Sequence, residues 1–190
     1  ACRILLMNKA EILRYMRTNS KTTDEKILAL VDKAMDTIEQ TAVPKTLYRI
    51  FDCTVTDDCL IIGDFRFEST RLAQNLKGCS RVVVFGATLG VAVDRVIKVS
   101  ASTDIADAMA LQAAAASKIE EVCDGLEEQI KAEYSVSLRQ RYSPGYFDLD
   151  ISNQKKVFAL LELTKRIGLT LTDTCEMVPT KSVTAFIGID

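Results

Sequence analysis

Leu47-Tyr48-Arg49-Ile50-Phe51-Asp52-Cys53-Thr54-Val55, followed by Asp57-Asp58, Cys59-Leu60-Ile61-Ile62 and Phe65-Arg66-Phe67, is the part of the chain on which the fold class turns. Arg49, Phe51, Cys53 and Val55 fall on one side of an alternating pattern, the period of a β-strand. Asp57-Asp58 supplies turn chemistry, and the apolar run that follows makes a hairpin, with a third short strand at 65–67. Upstream the period is helical. Ile12, Leu13, Tyr15 and Met16 mark a helix over about 8–19. Thr22 and Glu25 have capping-box spacing ahead of Ile27, Leu28, Val31, Ala34, Met35 and Ile38. Pro44 closes that segment. Downstream, Ser69 caps a helix ending at Gly78, and Arg81–Phe85 reads as a buried strand. Thr103 opens the longest helix, whose stripe is Ile105, Ala108, Met109, Ala115, Ile119, Val122, Leu126 and Ile130. A polar and aromatic loop covers 139–150, Ser152 caps a further helix, and strands are expected at 167–171 and 182–189. Hairpins mixed with helices predict an α+β fold, mainly antiparallel, with flanking helices rather than βαβ alternation.

The chain has 190 residues, which predicts a single domain over 1–190 with a helical N-terminal segment at about 8–41. Lys plus Arg is 24 and Asp plus Glu is 26, a net charge of −2. That balance argues against a nucleic-acid partner. The longest apolar stretch, 82–93, falls short of the roughly 20 residues needed to span a bilayer, so no membrane role is expected. Histidine is absent altogether. Imidazole acid–base catalysis, Ser–His and Cys–His pairs and imidazole-ligated metals are thereby excluded, and no metal site is expected. The six cysteines include no Cys-x-x-Cys and read as reduced, small apolar residues of a cytoplasmic protein.

Several features admit a site. Gly86-Ala87-Thr88-Leu89-Gly90 is either a phosphate loop or a tight strand-to-helix turn, and lacks the Gly-Lys-Ser/Thr ending of the former. Cys53 and Cys59 face each other across the expected hairpin, either pairing or packing. The acids of the long helix, Asp104 to Glu128, form a solvated face from which one carboxylate, Glu120, can turn toward a ligand. The least ordinary stretch is Arg139-Gln140-Arg141-Tyr142-Ser143-Pro144-Gly145-Tyr146. Pro-Gly forces a turn, Gly145 admits close approach, and arginines flank it on one side with a tyrosine on the other. It reads as an ordinary loop or as a site for a carboxylate-bearing planar ligand.

Arg141-Tyr142-Ser143-Pro144-Gly145-Tyr146, Gln154 opening a helix, 166–172 and Met177–Thr184 together resemble the activation (reactivation) domain of cobalamin-dependent methionine synthase. Tyr48–Phe51, 87–95 and 120–124 fit the same pattern, and the likeness is strongest to the small standalone version of that domain. The resemblance implies that the Arg-x-x-x-Gly-Tyr loop binds S-adenosylmethionine. Arg141 would hold the methionine carboxylate, and the backbone at Ser143 and Gly145 would meet the adenosyl part. Tyr146 would line the place where the methyl group faces the corrin, and Glu120, or Glu121 by a one-residue shift, would be the acidic contact from the long helix. It further implies an accessory role in a methyltransferase system, the reductive methylation of cob(II)alamin. Such chemistry moves no proton and works by positioning, so a chain without histidine can support it. The cobalamin would be carried by the corrinoid-binding module of the synthase, with an electron donor such as flavodoxin acting on the complex. The alternative is a non-catalytic S-adenosylmethionine-binding or docking module.

Overall fold

The computed structural model describes residues 7–190. These divide into two compact bodies, one of residues 7–45, 88–125 and 179–181, the other of 46–87, 126–178 and 182–190. The fold is α+β with antiparallel strand pairing, as expected.

The first body is helical. α1 (Lys9–Tyr15) starts at Asn8, whose side chain accepts the Ala10 N–H, and ends about four residues sooner than its period suggested. α2 (Glu25–Thr41) is capped by Asp24, which accepts from Lys26 and Ile27, so the expected capping box at Thr22 is displaced by two residues. A carboxylate one residue before the helix is the stronger acceptor in the field of the helix dipole. α4 (Val91–Ala101) follows Gly90, whose φ of +88° suits glycine. α5 (Ile105–Tyr134) contributes its residues through Gly125 to this body. Val31, Ala34, Ile38, Val93, Ala110, Leu111, Ala114 and Ile119 are buried, the alanines allowing close helix approach. Two members of the expected stripe are not core: Ile105 and Met109 are exposed. The reason is local, since they stand in the first turns, where α5 leaves this face open.

The second body holds the strands. β1 (Lys45–Asp52), β5 (Arg81–Thr88) and β8 (Ser182–Gly188) form a sheet in the order β1-β5-β8. β2 (Thr54–Val55), β3 (Cys59–Ile62) and β4 (Phe65–Glu68) form the expected antiparallel meander. The alternating run is split at Cys53, whose N–H leaves the ladder for the Ser80 carbonyl at 2.9 Å. Register sets Val55 against Leu60 and Thr54 against Ile61, so Cys53 and Cys59 are not opposite one another. α3 (Thr70–Asn75) begins at Ser69 as expected, and Gly78 lies beyond its end with φ +87°. A 3₁₀ turn (Ile151–Asn153), capped by Asp150 rather than Ser152, leads into α6 (Gln154–Leu161) and α7 (Leu163–Ile167). The strand expected at 167–171 shrinks to β6 (Thr170–Leu171), paired with β7 (Met177–Val178), because helical φ/ψ persists to Ile167. One apolar cluster joins Leu60, Phe67, Leu72, Val82, Val84, Leu149, Leu161 and Phe186. Phe67 meets Phe186 nearly edge-on, ring centroids 4.8 Å apart.

Gly86 is the middle of β5, not part of a loop. A Cβ there would lie 2.8 Å from Leu163 Cδ2, so the glycine exists to let α7 close on the sheet. The phosphate-loop reading is thereby overturned. Among the described residues, no helix is long and apolar enough to cross a membrane. Cys53, Cys59, Cys79, Cys123 and Cys175 carry no disulfide. Cys2 lies outside the described residues.

Candidate functional site

The stretch leading into the Pro-Gly turn is extended by pairing with β8. Tyr142 and Phe186 exchange two backbone hydrogen bonds of 2.9 Å, Leu138 is bridged to Ile189, and the Arg139 N–H donates to the Gly188 carbonyl. This places Arg141 and Tyr142 on opposite faces by the pleat. Tyr142 packs on the apolar cluster. Arg141 forms an ion pair with Glu127 of α5, in which both side chains are largely buried.

The chain then turns on itself. Pro144 is buried, and Gly145 adopts φ +92° and donates to the Leu149 carbonyl at 2.7 Å. Tyr146 N–H donates to the Ser143 carbonyl at 3.3 Å, and Leu149 N–H to the Tyr146 carbonyl at 3.1 Å. A Cβ on Gly145 would come within 3.0 Å of Ile151 Cδ1, so both angle and space demand glycine. The turn lifts two aromatics into solvent, Tyr146 at 64% exposure and Phe147 at 83%. Phe147 also has positive φ, +50°, and sits 5.6 Å beneath the Arg71 guanidinium. Asp148, just beyond, accepts hydrogen bonds from Ser69 Oγ, the Arg71 N–H and Tyr142 Oη. Ser69 first, then the Arg71 N–H and neighbouring backbone N–H groups, hold its carboxyl below the usual range.

Ser143, Gly145 and Tyr146 therefore share one closed turn of the second body, and Arg141 stands on the extended stretch that leads into it. Glu120 is a half-buried residue of the first body, where its charge helps raise the Tyr15 phenol, after burial and Glu11. Arg139, the other arm of the expected arginine pair, is committed elsewhere. It donates to the Asn75 and Lys77 carbonyls at 2.7 and 2.9 Å and pairs with Asp190, closing the C-terminal end of α3. Sequence reasoning took Glu127 as part of a solvated face and passed over Asp148. No periodic signal marks either, because both act through residues distant in sequence or on another element. The first body also has a cleft of about 450 Å³, lined mainly by Tyr15, Met16, Ile97, Ile105, Met109 and Gln112.

The model of the vitamin B12-dependent methionine synthase activation domain matches residues 82–189, more than half of the chain, including the whole turn. The chain belongs to this activation-domain family. Its fold is similar to that of the MetH reactivation domain, in a crystal structure described as bound to AdoHcy. The TM-score is 0.67 at 16% sequence identity, over 86% of this chain and 64% of that one. The chain thus spans under two thirds of that relative's length. No curated protein matches the chain by sequence. In this member of the activation-domain family, residues 141–146 read Arg-x-x-x-Gly-Tyr, with a glycine at φ +92° at the centre of the turn.

Proposed function

We propose that this chain binds S-adenosylmethionine at the 141–146 turn and supports reductive methylation of cob(II)alamin carried by the corrinoid module of methionine synthase. The observation that carries the reading is the closed turn holding Ser143, Gly145 and Tyr146, with Arg141 on the stretch leading into it, inside the residues matched by the activation-domain family.

The residues suit a nucleoside that carries a carboxylate. Arg141 supplies a permanently charged, forked donor for the ligand carboxylate, currently satisfied in part by Glu127. The backbone at Ser143 and at the exposed Gly145 meets the adenosyl moiety. Tyr146, projecting from the turn, lines the methyl-transfer position. The partner's corrinoid, reduced by one electron from an external donor, would supply the nucleophile that takes the sulfonium methyl, the sulfur keeping the bonding pair to leave S-adenosylhomocysteine. What the chain contributes is alignment: it binds, orients and excludes water, and no proton need be moved. Having no histidine, it cannot ligate cobalt through imidazole, which is why the cobalamin is assigned to the partner. An electron donor such as flavodoxin completes the reading, in which the chain acts as an accessory subunit.

Calorimetric titration with S-adenosylmethionine tests this directly. Wild type should bind, and Arg141→Ala should lose roughly 1.5–3 kcal/mol, the worth of a charge-assisted contact. No binding at millimolar ligand, with or without the corrinoid partner, would refute the site. Binding without transfer of labelled methyl to cobalt, in the presence of partner and reductant, would leave a non-catalytic binding module.

A further inference from the structure

We infer that Asp148 is the positioning residue of the ligand turn: its carboxylate fastens the turn, through Tyr142, to the start of α3. The inference rests on the reading that the turn holds an adenosyl ligand. Three donors converge on this one side chain: Ser69 Oγ at 2.5 Å, the Arg71 N–H at 3.1 Å and Tyr142 Oη at 3.3 Å. The same Tyr142 hydroxyl lies 3.5 Å from the Tyr146 carbonyl, so its single hydrogen is shared between the carboxylate and the residue that presents the ligand-facing ring. Ser69 is simultaneously the cap of α3, accepting from the Leu72 N–H at 2.9 Å. Asp148 therefore joins the turn to a segment almost eighty positions earlier in the sequence.

The turn needs such a tie. Gly145 and Phe147 both hold positive φ, and a non-glycine residue stays in that region only when its surroundings over-determine it. Backbone hydrogen bonds among residues 143–149 close the turn on itself but do not attach it to anything else. Attachment comes from the backbone pairing of Tyr142 with Phe186 at the start of the turn, and beyond Gly145 from Leu149, buried in the core below, and from Asp148, with Arg71 over Phe147. An ionised acceptor makes stronger bonds than a neutral one, and only a carboxylate can receive all three donors without presenting a hydrogen of its own. In Asp148→Asn the new NH₂ faces a donor, and either Ser69 or Arg71 loses its partner. A looser turn must then be ordered by the ligand, which lowers apparent affinity by the fraction of time spent competent.

The test uses the full chain as wild type, Asp148→Asn, Tyr142→Phe and the double variant. Each is titrated with S-adenosylhomocysteine by calorimetry, and amide hydrogen exchange is followed at Gly145 and Tyr146, with Val83 and Phe85 of β5 as internal controls. Asp148→Asn should weaken binding by about tenfold, one bond to a charged group. Tyr142→Phe should weaken it by less, and the double variant should be no weaker than Asp148→Asn alone. Exchange at Gly145 and Tyr146 should accelerate in Asp148→Asn while Val83 and Phe85 stay protected, a pattern that general destabilisation would not give. Wild-type affinity in Asp148→Asn, or losses that multiply in the double variant, would overturn the inference. If wild type binds no nucleoside, the functional reading fails, and the exchange comparison alone still decides whether Asp148 holds the turn. Should Asp148→Asn not fold, Tyr142→Phe carries the same comparison, since Ser69 and Arg71 keep their acceptor.

Discussion

Gly145 and Gly86 show how two residues of one type answer to different constraints. At 145 the constraint is angular as well as spatial: φ is +92° and Ile151 closes the space a methyl would need. At 86 the strand angle is ordinary and the constraint is contact with Leu163 alone. Gly86→Ala should accordingly destabilise by about 1–3 kcal/mol, the usual cost of overpacking a core. Leu163→Val, which trims the side chain in contact, should restore part of that loss in the double variant. Urea denaturation of the three proteins checks this, and strictly additive losses would exclude the steric explanation. Both glycines were visible in the sequence. Their separate reasons were not, because the neighbour of Gly86 comes from an element that begins at Leu163.

Elements of the first body are joined by charge as well as by packing. Asp107, in the first turn of α5, accepts from Lys33 Nζ of α2 and Ser100 Oγ of α4, each at 2.8 Å. Lys33 first, then Ser100, holds the Asp107 carboxyl below its ordinary value of 3.8. A depressed folded pKa means the unfolded chain takes up its proton first. The contribution is therefore complete above pH 3.8 and vanishes as the pH drops through the lower folded value. Asp107→Asn should cost about 1–2 kcal/mol at neutral pH and flatten the acid limb of the stability curve, with the two proteins converging at the acid end. Denaturation midpoints measured from pH 2 to 7 decide the matter; parallel curves would show that Asp107 is not the group involved. Periodicity located α2 and α5 well but misplaced their first residues, since Asp24 and Asp104 cap helices that Thr22 and Thr103 seemed to begin. Cap choice depends on which side chain the local backbone brings to the free N–H groups, and spacing alone does not determine that.

Across the described residues the cysteines pack among apolar side chains. Cys59, Cys79, Cys123 and Cys175 are buried, and burial, with Cys79 nearby, pushes the half-buried Cys53 thiol up to about 11. At pH 8 these five thiols should react slowly with an aromatic disulfide reagent in the native protein and rapidly after denaturation, site by site in mass spectrometry. Rapid native labelling of Cys59 or Cys123 would contradict the packing described for them. The α+β class, the meander at 54–68, the long helix and the turn at 141–146 all follow from local pattern: periods of 2 and 3.6, turn residues, and one uncommon six-residue element. Missing histidine likewise narrows the chemistry without any coordinates. The burial of Glu127 against Arg141, the diversion of Arg139 to α3, the exposure of Ile105 and Met109, and the convergence on Asp148 all required the folded chain. The physical reason is the range of the interactions. Pattern records which face a side chain occupies over a few turns or strand residues, whereas a charge or hydroxyl takes its partner from whatever segment folding brings within about 3 Å.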